Sequence, residues 1–350
     1  MTDSPPRMTK VAFEGGAMTT DTLSDVLRAV RLTGAVYFDV QAGAPWVAEA
    51  PPARDVAPFI MPGSEHVIEY HLVLSGNCHG GLVGEPALAL AAGDLIIFPQ
   101  GDSHVLSSAP GMRAAPDLAS YRHPAGTRLP IAIEQGEGGD RVSIVCGFFG
   151  CDARPFNPLL ATLPRTLLVR REQLARGAAS LPALIRLAVA ESKERRSGSE
   201  CVLARLSELL FVEAIRLHVE ALPSEHHGWL AGLRDEHVGR VLAVLHGEPQ
   251  RNWSIDELAR EVGLSRSLLM ERFVRFVGMP PMQYLAQWRM QLAAERLRST
   301  RESLAEIAER VGYGSESAFS RAFKRLVGVA PSTFRQSGRD GGAGGRGPQR

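Results

Sequence analysis

The chain has 350 residues, 45% of them hydrophobic and 22% charged, and its 39 basic and 38 acidic side chains leave a formal net charge of +1. That is enough chain for two or three domains with their own cores, and the charge balance by itself announces no partner. No apolar run approaches the roughly 18 to 20 residues of a membrane helix, and the four cysteines, at 78, 146, 151 and 201, show no CxxC spacing, which excludes disulfide-dense, zinc-ribbon and thioredoxin-type scaffolds.

The opening MTDSPPRMTKVAFEGG carries no basic-then-apolar signal pattern, so a cytoplasmic protein with no membrane partner is expected. Charge is unevenly spread. Residues 1–230 hold 20 basic and 25 acidic side chains, residues 231–337 hold 16 and 12, and residues 338–350 hold 3 and 1. An acidic body with a basic end fits a nucleic-acid module attached to something else.

Residues 1–20 are expected to be a flexible N-terminus. From about 35 to 150 the chain is rich in Gly and Pro, with short apolar runs at YHLVLSG (70–76), DLIIFPQG (94–101) and RVSIVCGFF (141–149). Short strands closed by turns predict an antiparallel sandwich or barrel. Gly93, Pro99, Gly101, His104 and Ser108 follow the spacing of the second cupin motif, and Glu69, seven residues before Gly76, stands where the first motif places its metal-binding glutamate. Residues 21–170 therefore resemble a cupin-type sensor domain, an antiparallel β-barrel of the jelly-roll kind. The resemblance departs at the first motif's His-x-His, where Pro62 and Ser64 stand and His66 is shifted, which argues against an ordinary cupin dioxygenase site.

The spacing suggests another donor set. His71 precedes the Gly76 turn by five residues and Cys78 follows it by two, His104 holds the cupin metal position, and Cys146 shares strand parity with Val142 and Ile144. Two imidazoles and two thiolates suit a closed tetrahedral Zn²⁺ site in the cupin domain. The plainer alternative makes Cys78 and Cys146 small core residues and His104 a turn cap.

Residues 171–230 predict a helical linker and dimerisation region. Leu184, Leu187 and Ala188, then Leu203, Leu206, Leu209, Leu210, Val212 and Ile215, recur at helical steps on either side of the break ERRSGSE (194–200). Such stripes can pack on the barrel or pair two subunits, and a homodimer is expected.

Residues 231–337 contain an internal repeat. Ser254/Ser303, Glu257/Glu306, Ala259/Ala308, Val262/Val311 and Gly263/Gly312 are each 49 apart, and Leu269/Phe319, Phe273/Phe323, Val277/Val327, Gly278/Gly328 and Pro281/Pro331 are each 50 apart. Ser254-x-x-Glu257 and Ser303-x-x-Glu306 read as capping boxes, Gly263 and Gly312 as left-handed helix ends, and Ser265 and Ser315 as the next caps. Leu269, Phe273, Phe276 and Val277 should share a buried face, as should Phe319, Phe323, Leu326 and Val327. Each copy is a helix-turn-helix unit, whose second helix enters the DNA major groove. Between them, the 17 residues Met282–Arg298 form one helix of about 25 Å, suited to placing two recognition helices roughly a DNA turn apart.

The segment SLAEIAERVGYGSESAFSRAFKRLVGVAPSTFR, with the copy before it, resembles the DNA-binding domain of the AraC/XylS family of bacterial transcription regulators. The resemblance implies that Ser267, Met270 and Glu271 in the first unit and Glu316, Ser317 and Arg321 in the second read bases. Arg266, Arg275, Lys324 and Arg325 are better placed for phosphates, and Ser320 completes the outer face of the second helix. Residues 338–350 are expected to be a disordered tail. The expected whole is a multi-domain, non-enzymatic regulator whose barrel senses a small molecule, metal or redox signal and biases an all-α double helix-turn-helix domain on operator DNA. RNA polymerase becomes a partner if the protein activates. The competing expectation is a cupin isomerase or oxygenase fused to a DNA-binding domain.

Overall fold

The structure, a computed structural model, describes residues 21–340 apart from 125–126, 174–180, 195 and 224. Residues 1–20 and most of the 338–350 tail thus lie outside the described residues. The chain begins with α1 (Thr22–Ala29), capped by Asp21, whose side chain accepts from the Ser24 N–H. The N-terminal domain is built from β1 (Thr33–Gly43), β2 (Val47–Ala50), α2 (Ala53–Ile60), β3 (His66–Ser75), β4 (Asn77–Leu82), β5 (Leu88–Ala91), β6 (Leu95–Phe98), β7 (His104–Ser107), β8 (Ile131–Gly136), β9 (Arg141–Cys151) and β10 (Leu167–Val169).

These strands form a six-stranded sheet in the order β10-β6-β3-β9-β1-β8 and a four-stranded sheet in the order β2-β7-β4-β5. The expected barrel is thus two facing, cupin-like sheets, with no closing ladder among the described residues. It is not wholly antiparallel either, because β8 returns after a long crossover to pair parallel with β1. The period of two sorts the long strands. On β3, Val67, Glu69, His71 and Val73 face the second sheet, whereas Ile68, Tyr70 and Leu72 face a helical layer; on β9, Val142, Ile144, Cys146 and Phe148 face inward and Val145 and Phe149 outward. Both faces are covered, so these strands read as continuous apolar runs rather than as alternating ones.

The helical layer is α3 (Leu181–Glu194) and α4 (Ser199–Ala221). Leu203, Leu206, Leu210, Phe211, Ala214 and Ile215 of α4 are buried on the six-stranded sheet, with the Phe211 ring 4.8 Å from that of Phe149. Of the expected apolar stripe, Leu209 turns outward at 49% exposure, as does Leu187 of α3 at 46%.

The C-terminal part comprises α5 (Trp229–Gly232), α6 (Glu236–Gly247), α7 (Ile255–Glu261), α8 (Arg266–Val277), α9 (Pro281–Ser299), α10 (Leu304–Arg310), α11 (Glu316–Val327) and α12 (Pro331–Asp340). Helix α9, 19 residues and about 28 Å long, is the shared spine. Its first half (Tyr284, Leu285, Trp288) packs with Leu269 and Phe273 of α8, and its second half (Met290, Ala293, Ala294, Leu297) with Phe319 and Phe323 of α11.

Candidate functional site

Two inward-facing residues of β3 and the first residue of β7 meet between the sheets. His71 Nε2 and His104 Nε2 are 2.6 Å apart, and Glu69 Oε2 lies 3.7 Å from His104 Nε2. All three side chains are buried, and one ligand atom from each lies within 4.8 Å of the others. His104 Nδ1 is 3.0 Å from the Asp102 carbonyl, so it carries the ring proton and leaves the Nε2 lone pair facing His71 and Glu69. Burial holds both rings neutral, taking His104 down to about 4 and His71 well below its ordinary value, the latter helped by His104. Burial also pushes the Glu69 carboxyl up to about 8, and Glu69 Oε1 and His71 Nδ1 have no hydrogen-bond partner among the described residues. Unpaired buried polar atoms are costly, and a cation held by the two Nε2 atoms and the Glu69 carboxylate would offset the part of that cost that falls on Glu69.

The donor set expected from the sequence joins Cys78 and Cys146 to His71 and His104; the group that lies within 4.8 Å has Glu69 with the two histidines. Cys146 is paired in register with His71 and points into the same cavity, yet it lies outside the group of Glu69, His71 and His104. Cys78 is farther away. At Gly76, whose φ is +76° and whose added Cβ would overlap the Arg141 carbonyl, the chain leaves the six-stranded sheet, so β3 and β4 are not hairpin partners. Leu82 is the residue of β4 that pairs with His104; Cys78 shares its face but lies four residues, about 13 Å, along the strand. Burial keeps both thiols protonated, Cys78 at about 12.

The three donors form the floor of a cavity of about 250 Å³, walled by Phe38, Trp46, Leu106, Tyr121, Ile144 and Phe148. At its rim Arg113 grips Glu49 with two hydrogen bonds of 2.7 Å and holds that carboxyl below the usual range. The pair ties the segment after β7 to β2 beside the cavity.

In the second candidate site, both capping boxes are formed, at Ser254/Glu257 and Ser303/Glu306. Gly263 and Gly312 adopt φ of +67° and +81°, and Ser265 and Ser315 cap α8 and α11. Arg266, Ser267, Glu271 and Arg275 on α8 and Glu316, Ser317, Arg321, Lys324 and Arg325 on α11 are exposed, while Met270 and Ser320 are half-buried. Leu269, Phe273, Phe319 and Phe323 are fully buried, but Leu326, expected beside them, is 39% exposed. Arg275 leans back onto the loop before α5, its Nε 3.4 Å from His227 Nε2. Arg272 was not anticipated: it binds both carboxylate oxygens of Asp235, the N-cap of α6, and so fixes α8 against that helix.

Residues 21–220 match the cupin family, and residues 258–337 match a helix-turn-helix domain. An AraC-like transcription regulator of Streptomyces lividans is 32% identical over 317 residues, spanning 90% of this chain and 98% of the relative. The chain belongs to the AraC family of transcription regulators. AlkR of Acinetobacter baylyi, an HTH-type transcriptional regulator, is 27% identical over 90% of this chain and 99% of its own, and MtrA of Neisseria gonorrhoeae is 29% identical over 77% and 86%. The helical domain of this AraC-family member is thus a DNA-binding domain. Among the described residues no helix is long and apolar enough to cross a membrane.

In this regulator the two domains are joined through α9. Gln291, fully buried midway along it, donates from Nε2 to the Ala29 carbonyl at 2.8 Å and accepts the Phe156 N–H at Oε1 at 3.0 Å. One residue before the end of α9, Arg298 donates to Asp152 at 2.7 Å and to Glu65 at 2.5 Å. Asp152, 1% exposed, also receives two hydrogen bonds from Arg31, the one non-glycine residue with positive φ (+52°) among those described. Sequence reasoning missed all of these. A signal existed for Gln291, which follows Tyr284 and Trp288 at the core-facing steps of α9, where a polar side chain needs a buried partner.

Proposed function

We propose that this regulator is a one-component sensor in which a small molecule enters the cavity above Glu69, His71 and His104 and alters how the N-terminal domain holds α9. One observation carries the reading. Strands β3 and β9 both lead from the cavity to the domain contact: β3 carries Glu69 and His71 and is preceded by Glu65, and β9 carries Cys146, in register with His71, and is followed by Asp152. A ligand that favours one packing of these two strands would bias the Arg298 contacts directly, and coupling between such sites is typically about 1–3 kcal/mol.

Glu69, His71 and His104 would hold a divalent transition metal, zinc among the candidates, in the cupin domain. Three protein donors leave a position open for a ligand atom, unlike the closed four-donor site expected from the sequence. The metal would supply a Lewis-acidic anchor there. The chain's own residues do the rest: the aromatic walls exclude water, and Arg113 with Glu49 holds the rim. Because an open three-donor site in an apolar cavity also suits an isomerase or oxygenase, the test must separate sensing from turnover.

Two copies would pair through the outward Leu187 of α3 and Val202 and Leu209 of α4, doubling the DNA contacts. Bases and phosphates would be met by the exposed residues of α8 and α11 named above, and RNA polymerase would be engaged if the protein activates.

The deciding experiment uses the full chain. Metal content is measured by mass spectrometry, and affinity for a duplex obtained by in vitro selection is measured with the metal loaded and chelated, for the wild type and for His71→Ala/His104→Ala. The proposal expects metal in the wild type and a DNA affinity that responds to loading in the wild type alone. DNA affinity indifferent to both changes, or catalytic turnover in the cavity without any effect on DNA binding, would defeat it.

A further inference from the structure

The two recognition helices present different chemistry at matching positions. On α8, Leu269 and Phe273 are fully buried. At 100° per residue, the side opposite them carries Ser267, Glu271 and Arg275, edged by Val274 and then Met270 on one flank and by Leu268, 45% exposed, on the other. The positions of α11 that match Ser267, Glu271, Val274 and Met270 are Ser317, Arg321, Lys324 and Ser320. Val274 is 39% exposed and Met270 half-buried, and as i,i+4 neighbours they form one apolar ridge alongside Glu271. The basic side chains of α8 give this face little help. Arg272 is occupied by Asp235, Arg275 is exposed but leans onto His227, and Arg266 stands exposed at the helix start, whereas α11 presents Arg321, Lys324 and Arg325 along its exposed face.

We infer that the first helix-turn-helix unit reads thymine, through contact of Met270 and Val274 with its 5-methyl group. In the major groove that methyl is the apolar feature by which a base pair is distinguished, so an apolar ridge on an inserted helix finds its complement there. A polar groove edge would instead leave the ridge desolvated without gain. The second unit, with Ser320 and Lys324 in place of the ridge, has no such preference, so thymine dependence should be confined to the DNA segment under α8. The inference goes beyond DNA binding as such to the base chemistry recognised by one unit.

The test replaces thymine by uracil, which removes the methyl and preserves pairing. Sequences are selected with the full chain from a duplex library with a randomised core, once with thymine and once with uracil throughout, and thymines of the winning duplex are then exchanged one at a time. For the wild type, exchange within one contiguous segment should weaken binding roughly three- to fivefold per contacted methyl, and exchange elsewhere should have no effect. Met270→Ser/Val274→Lys, which installs the side chains of the second unit on the surface of α8, should abolish this sensitivity while keeping the thermal midpoint and the preference in the remaining segment. Identical winners from both libraries, or uracil sensitivity unchanged in the double variant, would overturn the inference. So would a double variant with unaltered sequence preference that fails to engage RNA polymerase, since the ridge would then be a protein contact. A wild type that enriches no sequence from either library would overturn the DNA-reading premise itself, a failure distinct from the others.

Discussion

Gln291, at the middle of the helix that joins the two DNA-reading units, hydrogen-bonds the Ala29 carbonyl of the N-terminal domain at 2.8 Å, more than two hundred residues away in sequence. Its other amide atom accepts the Phe156 N–H, so one fully buried side chain satisfies two backbone groups across the domain contact. Gln291→Leu preserves approximate volume but strands both groups. We expect a loss of about 1–3 kcal/mol in unfolding free energy, measured by urea titration of the full chain. A variant as stable as the wild type would mean that water or a local shift replaces the amide.

Arg298 and Asp152 offer a second probe of the same contact. Arg298→Met leaves Arg31 still paired with Asp152, so the expected loss is that of one charge-assisted hydrogen-bond set, about 1.5–3 kcal/mol. Arg298→Met combined with Asp152→Asn should cost less than the sum of the single changes, since either change alone already breaks the contact between them. Strict additivity in a double-mutant cycle would show that the pair is not coupled.

His246 makes stability depend on pH. Its ring stacks on Trp288 at 4.1 Å, its Nε2 lies 2.8 Å from the Tyr284 hydroxyl, and its Nδ1 faces Asp25 at 3.8 Å. Burial lowers its pKa to about 3, whereas in the unfolded chain it titrates near 6.5. The unfolded state therefore binds a proton that the folded state refuses. The contribution is complete above about pH 6.5 and is lost as pH falls towards 3, at about 1.4 kcal/mol per unit. Comparing wild type with His246→Gln by denaturation at pH 7 and pH 5, we expect the wild type to lose about 2 kcal/mol more than the variant. Equal losses would place the acid sensitivity elsewhere.

For the cavity, Glu69→Gln and His104→Ala should each abolish stoichiometric metal and remove any metal-dependent rise in melting temperature. Cys78→Ser, about 13 Å along β4 from the strand position facing His104, should retain both. Metal lost from Cys78→Ser would restore the thiolate site expected from the sequence.

On the DNA side, Arg321→Ala should relax base preference at one position by about 1–3 kcal/mol, as expected for loss of a bidentate guanine contact. Arg325→Ala should weaken all duplexes alike and reduce the salt slope of log affinity by about 1. Parallel losses on selected and scrambled DNA for both variants would remove the distinction.

The helix-turn-helix units were readable from sequence because each is specified locally: Ser254 and Ser303 with their glutamates, and Gly263 and Gly312, determine starts and turns within a few residues. The cupin motif likewise placed His104 and Glu69. The sequence did not reveal that the chain changes sheets at Gly76, which separates Cys78 from His71 despite their closeness along the chain. Nor did it reveal the pairing of Gln291 with Ala29 or of Arg298 with Asp152, since contacts so distant in sequence leave no periodicity. Leu209 and Leu326 show the same limit from the other side, because a helical stripe says which residues share a face and not how far the covering surface extends.

Helix α1 precedes the sheets in the chain, yet Val26, Ala29 and Val30 share a core with Val241, Leu245 and Trp288 of the DNA-binding domain. For protein engineering, the reader is therefore not a cassette that can be cut at residue 231. A fragment starting there would lose the cover that α1 provides over α6 and α9 and the Ala29 carbonyl that Gln291 requires. A chimera that grafts this reader onto another sensor would have to carry residues 21–31 with it or rebuild that surface with polar side chains.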